Sequence, residues 1–190
     1  MIFVIGGCDK NGFSRLSFTE KLNLTSGEWT SATALPGYSK SEFAACELQN
    51  DIYISGIQTS QTLLVPFVQC YDPVSNKWSY VSSCPFSQRS ISAVTLNGSI
   101  YVTGGLLEHI YCYTPRTDSW SRAATLPVKL EGCGLTVCDG KVCVVGGRNE
   151  QSVAVDQIWA FDPVNGKLTE EKPLTRCLSY HGCVTVLQRL

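Results

Sequence analysis

The chain contains few residues that could perform acid–base or nucleophilic chemistry. Among its 190 residues there are only two histidines, His109 and His181. A nucleophile triad needs a histidine beside a serine or cysteine and an orienting carboxylate. Glu108 precedes His109, but the two form a charge pair as readily as a catalytic dyad, and His181 is predicted to be packed in a strand or to face a turn. We therefore predict that the protein is not an enzyme and binds no cofactor.

The ten cysteines are the other residues with chemical potential. Their number lies below the roughly 8–10% that marks a disulfide scaffold. There is no CxxC pair, and the closest spacing leaves four residues between Cys133, Cys138 and Cys143. Because structural zinc sites usually present closer pairs, we expect no metal site. The alternative is that free thiols serve as small buried hydrophobic side chains in a reducing compartment.

Composition and charge exclude several classes of partner. The chain has 15 Lys and Arg against 16 Asp and Glu, a net charge of −1, which argues against nucleic acid. With 16% charged and 44% hydrophobic residues it should fold as a globular protein. No apolar run is long enough to span a membrane, and residues 1–7 do not resemble a signal peptide. The expected location is cytoplasmic, with the cytoskeleton or nucleus as alternatives.

Two landmarks recur along the chain and must position whatever site exists. The first is an apolar run that ends in glycine, at steps of 50, 48 and 42 residues, within the period of propellers. Its glycines are Gly6 and Gly7, Gly56, Gly104 and Gly105, and Gly146 and Gly147. The second is an aromatic residue, followed in two repeats by Asp-Pro, with a large apolar residue seven positions on. These are Tyr71 and Asp72 with Trp78, Tyr113 with Trp120, Phe161 and Asp162 with Leu168, and a degraded copy ending at Trp29.

Each repeat is interpreted as four strands, A to D. Strands A and B are joined by two-residue turns such as Asn97-Gly98 and Asp139-Gly140, whose residues tolerate the positive φ angles of a type I′ hairpin. The tryptophan begins strand D and can fill the space between neighbouring sheets. A four-stranded sheet cannot bury both of its faces alone, so the sheets must stack around a centre. The pattern therefore predicts an all-β fold, a β-propeller of four-stranded antiparallel blades.

The double glycine, the Tyr-Asp-Pro turn and the spaced tryptophan resemble the kelch repeat over essentially the whole chain. Ile57, Leu168 and the missing Asp-Pro of the first repeat depart from that pattern. We expect one kelch domain or fragment over 1–190. Its parts are repeat 1 at about 1–36, repeat 2 at about 38–85, repeat 3 at about 89–127, repeat 4 at about 131–173, and a closing strand at about 178–188.

The two ends of the chain suggest how a ring would close. Repeat 1 contains strands B, C and D only, and residues 181–187 are similar to a spare strand A that could pair with it. This permuted closure resembles that of BTB-kelch proteins. Because that family implies six blades, the four repeats are predicted to be the C-terminal part of a longer propeller or a truncated product.

Function is expected on the face that carries the D–A and B–C loops, since variable loops on a rigid scaffold usually hold binding sites. Resemblance to BTB-kelch proteins implies a module that recognises target proteins or peptide segments for a cullin–RING ubiquitin ligase. The cullin would bind only through a BTB domain, which these residues lack. The alternative is a generic kelch scaffold, for example an actin-binding one. The candidate binding residues are Asp9, Lys10, Arg15, Tyr38, Lys40, Arg89, Ser90, Glu108, His109, Lys129, Glu131, Arg148, Asn149 and Arg176.

Overall fold

The computed structural model describes residues 1–10, 16–37, 40–41, 43–55, 57–59, 64–65 and 67–186. The regular elements of these residues are strands, apart from one short 3-10 helix at Pro115–Thr117. In chain order the strands are β1 (Ile2–Ile5), β2 (Thr19–Leu22), β3 (Trp29–Ala32), β4 (Lys40–Ser41), β5 (Ala44–Leu48), β6 (Asp51–Ser55), β7 (Ile57–Thr59), β8 (Leu64–Val65), β9 (Val68–Asp72), β10 (Lys77–Val81), β11 (Ile91–Leu96), β12 (Ser99–Gly104), β13 (Leu107–Thr114), β14 (Ser119–Leu130), β15 (Gly134–Cys138), β16 (Lys141–Val145), β17 (Ile158–Asp162) and β18 (Lys167–Glu171).

The strands form antiparallel sheets that follow the sequence repeats. Sheet 1 has three strands, β1–β2–β3, whereas sheet 2 (β5–β6–β9–β10), sheet 3 (β11–β12–β13–β14) and sheet 4 (β15–β16–β17–β18) have four each. The predicted A–B hairpins are confirmed: Asn97 and Gly98 have φ of 51° and 74°, and Asp139 and Gly140 have φ of 49° and 71°. The absence of strand A from the first repeat is also confirmed within the described residues.

Each pair of neighbouring sheets encloses its own hydrophobic core. Leu35 and Ile54 are buried between sheets 1 and 2. Tyr113 and other residues of sheet 3 pack on sheet 2, and Phe161 of sheet 4 lies in the core shared with sheet 3. At the centre the A strands lie side by side, and the Thr95 hydroxyl of β11 donates to the Glu47 carbonyl of β5 at 2.6 Å. This stacking of small sheets around their first strands is the arrangement of propeller blades.

The predicted tryptophan wedge, a tryptophan that fills the space between two neighbouring sheets, is present at two junctions. The indole Nε1 of Trp78 donates to the carbonyl of Thr33 at 2.9 Å, and that of Trp120 donates to the carbonyl of Ser82 at 3.0 Å. Each acceptor lies just after the last strand of the preceding sheet. Trp29, at the same repeat position, is 50% exposed. Leu168 replaces the tryptophan in sheet 4 and packs in the core that sheets 3 and 4 share.

A polar latch, made by Asn76 with Thr33 and by Asp118 with Ser82, joins the same two pairs of sheets. The Oδ1 of Asn76 accepts from the Tyr71 hydroxyl at 2.6 Å and from the Thr33 amide at 2.9 Å. In sheet 3 the Oδ1 of Asp118 accepts from the Tyr113 hydroxyl at 2.7 Å and from the Ser82 amide at 2.8 Å. The latch therefore fixes the angle between sheets with hydrogen bonds that the tryptophan alone could not supply.

The junction between sheets 3 and 4 has lost every member of this latch together. Phe161 stands where Tyr71 and Tyr113 stand, Gly166 replaces the latch residue, and Ala124 occupies the position of Thr33 and Ser82. Phe161, Ala124 and Leu168 instead lie in one hydrophobic cluster. Replacing both partners with apolar groups costs little, whereas losing one would leave a polar group unpaired. The departures from the repeat at this junction are thus one coordinated change.

The latch makes a testable contribution to acid stability. Hydrogen bonds from the Ser82 amide and then from the Tyr113 hydroxyl lower the pKa of Asp118 from its usual 3.8. A carboxyl whose pKa is lower in the folded state stabilises that state above its unfolded pKa, and loses the effect as pH falls through the folded pKa. We expect Asp118→Asn to keep the acceptor oxygen, as Asn76 does, and to remove this pH dependence. Urea unfolding at a series of pH values from neutral to below 4 measures it.

Asp118→Ala is the matched control for this experiment. It removes the acceptor as well as the charge, so it should cost about 1 kcal/mol at neutral pH. If the stability of Asp118→Asn fell with decreasing pH as steeply as that of the wild type, the ionised carboxylate of Asp118 would have no role in acid stability.

The closing-strand prediction is wrong for the residues that are described. Residues 178–186 form no strand, and 187–190 lie outside the described residues. The Thr185 hydroxyl donates to the Val137 carbonyl, and it also lies 2.7 Å from the Thr136 hydroxyl. The segment therefore lies beside β15 and does not pair with β1, which has only β2 as a neighbour.

Two features of the loop face were not predicted. Strands β4, β7 and β8 form a small sheet of their own from the loops of the second repeat. In sheet 3, Gly105 and Leu106 have φ of 59° and 64°, so a two-residue turn joins β12 directly to β13. Within the described parts of the chain, no helix has the length and apolar character that crossing a membrane requires.

Candidate functional site

A cavity of about 510 Å³ opens on the loop face beside the first strand of sheet 3. Its wall is built where the D–A loops enter β11 and β15 and where the B–C loop leaves β16. These loops begin or end at strands whose side chains pack in the cores between sheets. The cavity is lined by Phe43, Arg89, Ser90, Ile91, Glu131, Arg148 and Tyr180.

Arg148 is the centre of the polar group in this cavity. Its Nη2 lies 3.1 Å from Oε2 of Glu131 and donates to the Tyr180 hydroxyl at 2.8 Å, while its guanidinium carbon lies 4.9 Å from the centre of the Tyr180 ring. The backbones of Arg148 and Glu131 also exchange two hydrogen bonds of 2.8 Å. Within the described residues the buried Nε of Arg148 has no hydrogen-bond partner. The Glu131 carboxylate raises the pKa of Arg148 further, so this side chain carries a fixed positive charge.

A second charged group lies farther out on the same face. Nζ of Lys129 lies 3.1 Å from Oε1 of Glu108 and 3.3 Å from Oε1 of Glu150. These contacts raise the pKa of Lys129, and Lys129 in turn lowers the pKa of Glu108. The three side chains line a separate cavity of about 470 Å³. Because exposed ion pairs contribute little to stability, this group is more suited to steering a charged partner than to holding the fold.

The structure brings together part of the predicted binding face. Arg89, Ser90, Glu131 and Arg148 line the first cavity, and Glu108, Lys129 and Asn149 line the second. The placement of Glu108 and His109 in a loop is wrong: the tight turn at Gly105 and Leu106 makes both part of β13. Lys129 likewise lies at the end of β14, since that strand extends to Leu130.

The remaining candidates are not joined to these two groups. Asp9 and Lys10 follow β1 in the first repeat, and Arg176 is exposed after β18. Neither cavity includes them. Arg15 and Tyr38, like the landmark Gly56, lie outside the described residues, as does the side chain of Lys40.

The prediction missed Tyr180 and Glu150, and it also missed Phe43 and Ile91 of the first cavity. Tyr180 occupies the same repeat position as Arg89 and Glu131, just ahead of a run that resembles strand A. Extending the repeat register past the fourth unit would therefore have predicted it. Glu150 follows the double glycine in a loop whose sequence does not follow the repeat, so no repeat signal identifies it.

Seven of the ten cysteines are buried or half-buried, and Cys8, Cys138 and Cys177 are exposed. All ten have free thiols, and burial raises the pKa of Cys46 and of Cys133 to about 12. A thiol with so high a pKa is a poor nucleophile at neutral pH. In the described residues, no three His, Cys, Asp or Glu side chains lie where they could hold a metal ion.

Comparison with protein families identifies the repeats. The kelch motif matches residues 89–127 and 130–172. Kelch-like protein 35 of Mus musculus is 32% identical over 281 residues, which cover 100% of this chain and 49% of the relative. Kelch-like protein 24a of Danio rerio is 31% identical over 277 residues, covering 98% and 46%. The chain thus spans about half the length of these relatives.

The solved structure titled "Structure of YjhT" has the same fold. It superposes with a TM-score of 0.72 at 18% identity, over 83% of this chain and 59% of that one. The predicted all-β propeller and the kelch resemblance are therefore confirmed. The alignment to Kelch-like protein 35 contains at least 91 positions to which this 190-residue chain contributes nothing. That difference is about two repeats of the length found in this chain.

Proposed function

The chain is a kelch-repeat domain like that of Kelch-like proteins, and we propose that it binds target proteins through the cavity around Arg148. The segment it accepts carries a carboxylate side chain. The Arg148 side chain is 35% exposed on the wall of that cavity. This single observation carries the proposal, because a guanidinium can hold a carboxylate through two parallel hydrogen bonds.

The surroundings of Arg148 allow the carboxylate of a partner to replace that of Glu131. Glu131 holds the guanidinium from one side at 3.1 Å, and Tyr180 supplies a flat apolar surface and a hydroxyl beside it. Arginine and tyrosine are the residue types that most often dominate binding energy at protein interfaces. Phe43 and Ile91 give the cavity an apolar wall, which suits a peptide with one acidic anchor beside apolar residues.

We expect Arg148→Glu to weaken binding of an acidic peptide selected from a displayed peptide library against the wild-type chain. Affinity should fall on the order of tenfold or more, which corresponds to about 1.4 kcal/mol. Isothermal titration calorimetry measures the change. The charge reversal repels the carboxylate and leaves Glu131 without its cation.

Arg116→Glu is the matched control, since Arg116 is exposed in the 3-10 helix at the C–D turn on the opposite face. It changes net charge by the same amount and should leave affinity unchanged. Equal losses in both variants would mean that only long-range charge matters, and unchanged binding in Arg148→Glu would refute the site.

The finer proposal is that this domain selects targets for a cullin–RING ubiquitin ligase, as its resemblance to BTB-kelch proteins suggests. A cullin would bind the BTB domain of a longer chain and not these 190 residues. Affinity purification of a chain that carries a BTB domain ahead of this domain should recover a cullin, and purification of the domain alone should not. If a chain with the BTB domain recovered actin and no cullin, the scaffold alternative would hold.

A further inference from the structure

The two charged groups of the loop face lie on one short antiparallel pair of chain segments. Glu131 and Arg148 are bridge partners and exchange two backbone hydrogen bonds of 2.8 Å. Two residues away on each segment, the side chains of Lys129 and Glu150 form an ion pair, with Nζ 3.3 Å from Oε1. Glu131 and Arg148 line the first cavity, whereas Lys129 and Glu150 line the second. The two cavities are therefore held at a fixed spacing by one piece of backbone.

The two cavities carry opposite excess charges. The charged residues that line the first are two cations and one carboxylate, Arg89, Arg148 and Glu131. Those that line the second are two carboxylates and one cation, Glu108, Glu150 and Lys129. Each cavity is thus left with one charge in excess, positive beside Arg148 and negative beside Lys129. A partner that matches this surface must itself carry both signs of charge.

The two carboxylates of the second cavity can accept a further cation. The side chains of Glu108 and Glu150 are 61% and 54% exposed, and each contacts Lys129 through its Oε1. A second cation can therefore bind at Oε2 of either carboxylate while Lys129 stays in place. Contact with Lys129 and, to a smaller extent, the charges of His109 and Arg122 lower the pKa of Glu108. This carboxylate is consequently ionised at neutral pH.

We infer that the segment recognised at Arg148 carries a second anchor, a lysine or arginine two residues from its carboxylate, which binds Glu108 and Glu150. The inference rests on the proposed function, since Arg148 makes the first contact. Lys129 and Glu131 are two residues apart at the end of β14, a spacing of about 6–7 Å in extended chain. An extended partner segment presents side chains i and i+2 on one face at the same spacing.

The second anchor acts on selectivity more than on affinity. Exposed ion pairs contribute little to binding by themselves, whereas like charges placed against each other reject a wrong partner. A segment with acidic residues alone would set one of them against Glu108 and Glu150. We expect a segment with lysine or arginine at the second position to bind on the order of tenfold more tightly than the same segment with glutamate there.

Selection of a displayed random peptide library on three forms of the chain tests the inference. On the wild type we expect an acidic anchor with lysine or arginine two positions away, in either chain direction. On a reversed variant, Glu108→Lys with Glu150→Lys, the acidic anchor should persist and the second residue should become acidic. Glu170→Lys with Glu171→Lys is the matched control, since it changes the net charge equally at exposed residues of β18. It should select the wild-type pattern.

Calorimetry on one selected peptide completes the test. Exchanging its basic residue for glutamate should weaken binding to the wild type about tenfold and strengthen binding to the reversed variant by a similar factor. A neutral variant, Glu108→Gln with Glu150→Gln, should bind both peptides with similar affinity, and this retained binding shows that the site is folded.

The outcomes separate this inference from the proposed function. Acidic anchors that depend on Arg148 but have no preference two positions away would overturn the inference and leave the proposed function standing. A wild type that selects no acidic anchor would overturn both. A control that changes its selected pattern as the reversed variant does would show that net charge alone is sensed, and would also overturn the inference.

Discussion

Replacing Gly105 with alanine is expected to be among the most destabilising single changes in this domain. Gly105 has φ of +59°, and a Cβ at this position would lie 2.4 Å from the carbonyl oxygen of Arg89. The left-handed conformation alone costs a non-glycine residue about 1–2 kcal/mol. Because the clashing atom belongs to the backbone, the start of β11 must also move. We expect a total loss of about 3 kcal/mol or more in the free energy of unfolding.

Gly98→Ala separates the two causes. Gly98 also has a positive φ, +74°, but nothing lies within 4 Å of the position of its Cβ. Its alanine variant should lose only the conformational part, about 1 kcal/mol. Urea unfolding of both variants, followed by tryptophan fluorescence, gives the comparison. Equal losses would show that the close approach of Gly105 to the backbone of Arg89 adds nothing to the loss of stability.

Trp120→Ala is the second change with a large expected effect. The Trp120 ring lies 5.1 Å from that of Tyr113 and 5.7 Å from that of Phe86, which belongs to the segment that joins sheets 2 and 3. Removing it leaves a cavity between sheets and an unpaired carbonyl at Ser82. Truncations of this kind cost about 3–5 kcal/mol. Calorimetric melting should show a correspondingly lower Tm.

Two controls bracket this prediction. Trp120→Phe keeps an aromatic ring in the junction and should lose less than the alanine variant. Val164→Ala removes methyl groups from an 87% exposed residue and should change stability by less than about 0.5 kcal/mol. A Trp120→Ala variant as stable as Val164→Ala would mean that the tryptophan wedge does not hold the sheets together.

Much of the local structure was predictable because its causes are local. The pairs Asn97-Gly98 and Asp139-Gly140 tolerate positive φ, and each lies between apolar runs, so they specify two-residue hairpins. Asp72 accepts a hydrogen bond from the Val74 amide at 2.8 Å, as an Asp-Pro turn predicts. The recurrence of these signals in register predicted sheets 1 to 4 and their order, but not the small sheet of β4, β7 and β8.

Part of the candidate site was predictable for the same reason. Arg89 and Glu131 share one repeat position, and the loop on which each lies follows from the register. Tyr180 shares that position too, so the same rule reaches it. Glu108 and His109 were misplaced because two consecutive positive φ values, at Gly105 and Leu106, shorten a connection whose composition resembles a loop.

The sequence by itself determined the all-β class, the kelch repeat and the hairpins, because each depends on residues close together in the chain. Only the tertiary structure decided that Arg148 meets Glu131 and Tyr180, that Asn76 and Asp118 latch neighbouring sheets, and that residues 183–186 lie beside β15 and not β1. These contacts join residues 17 to about 50 positions apart. Their geometry depends on the angle between sheets, which the packing of many side chains sets together.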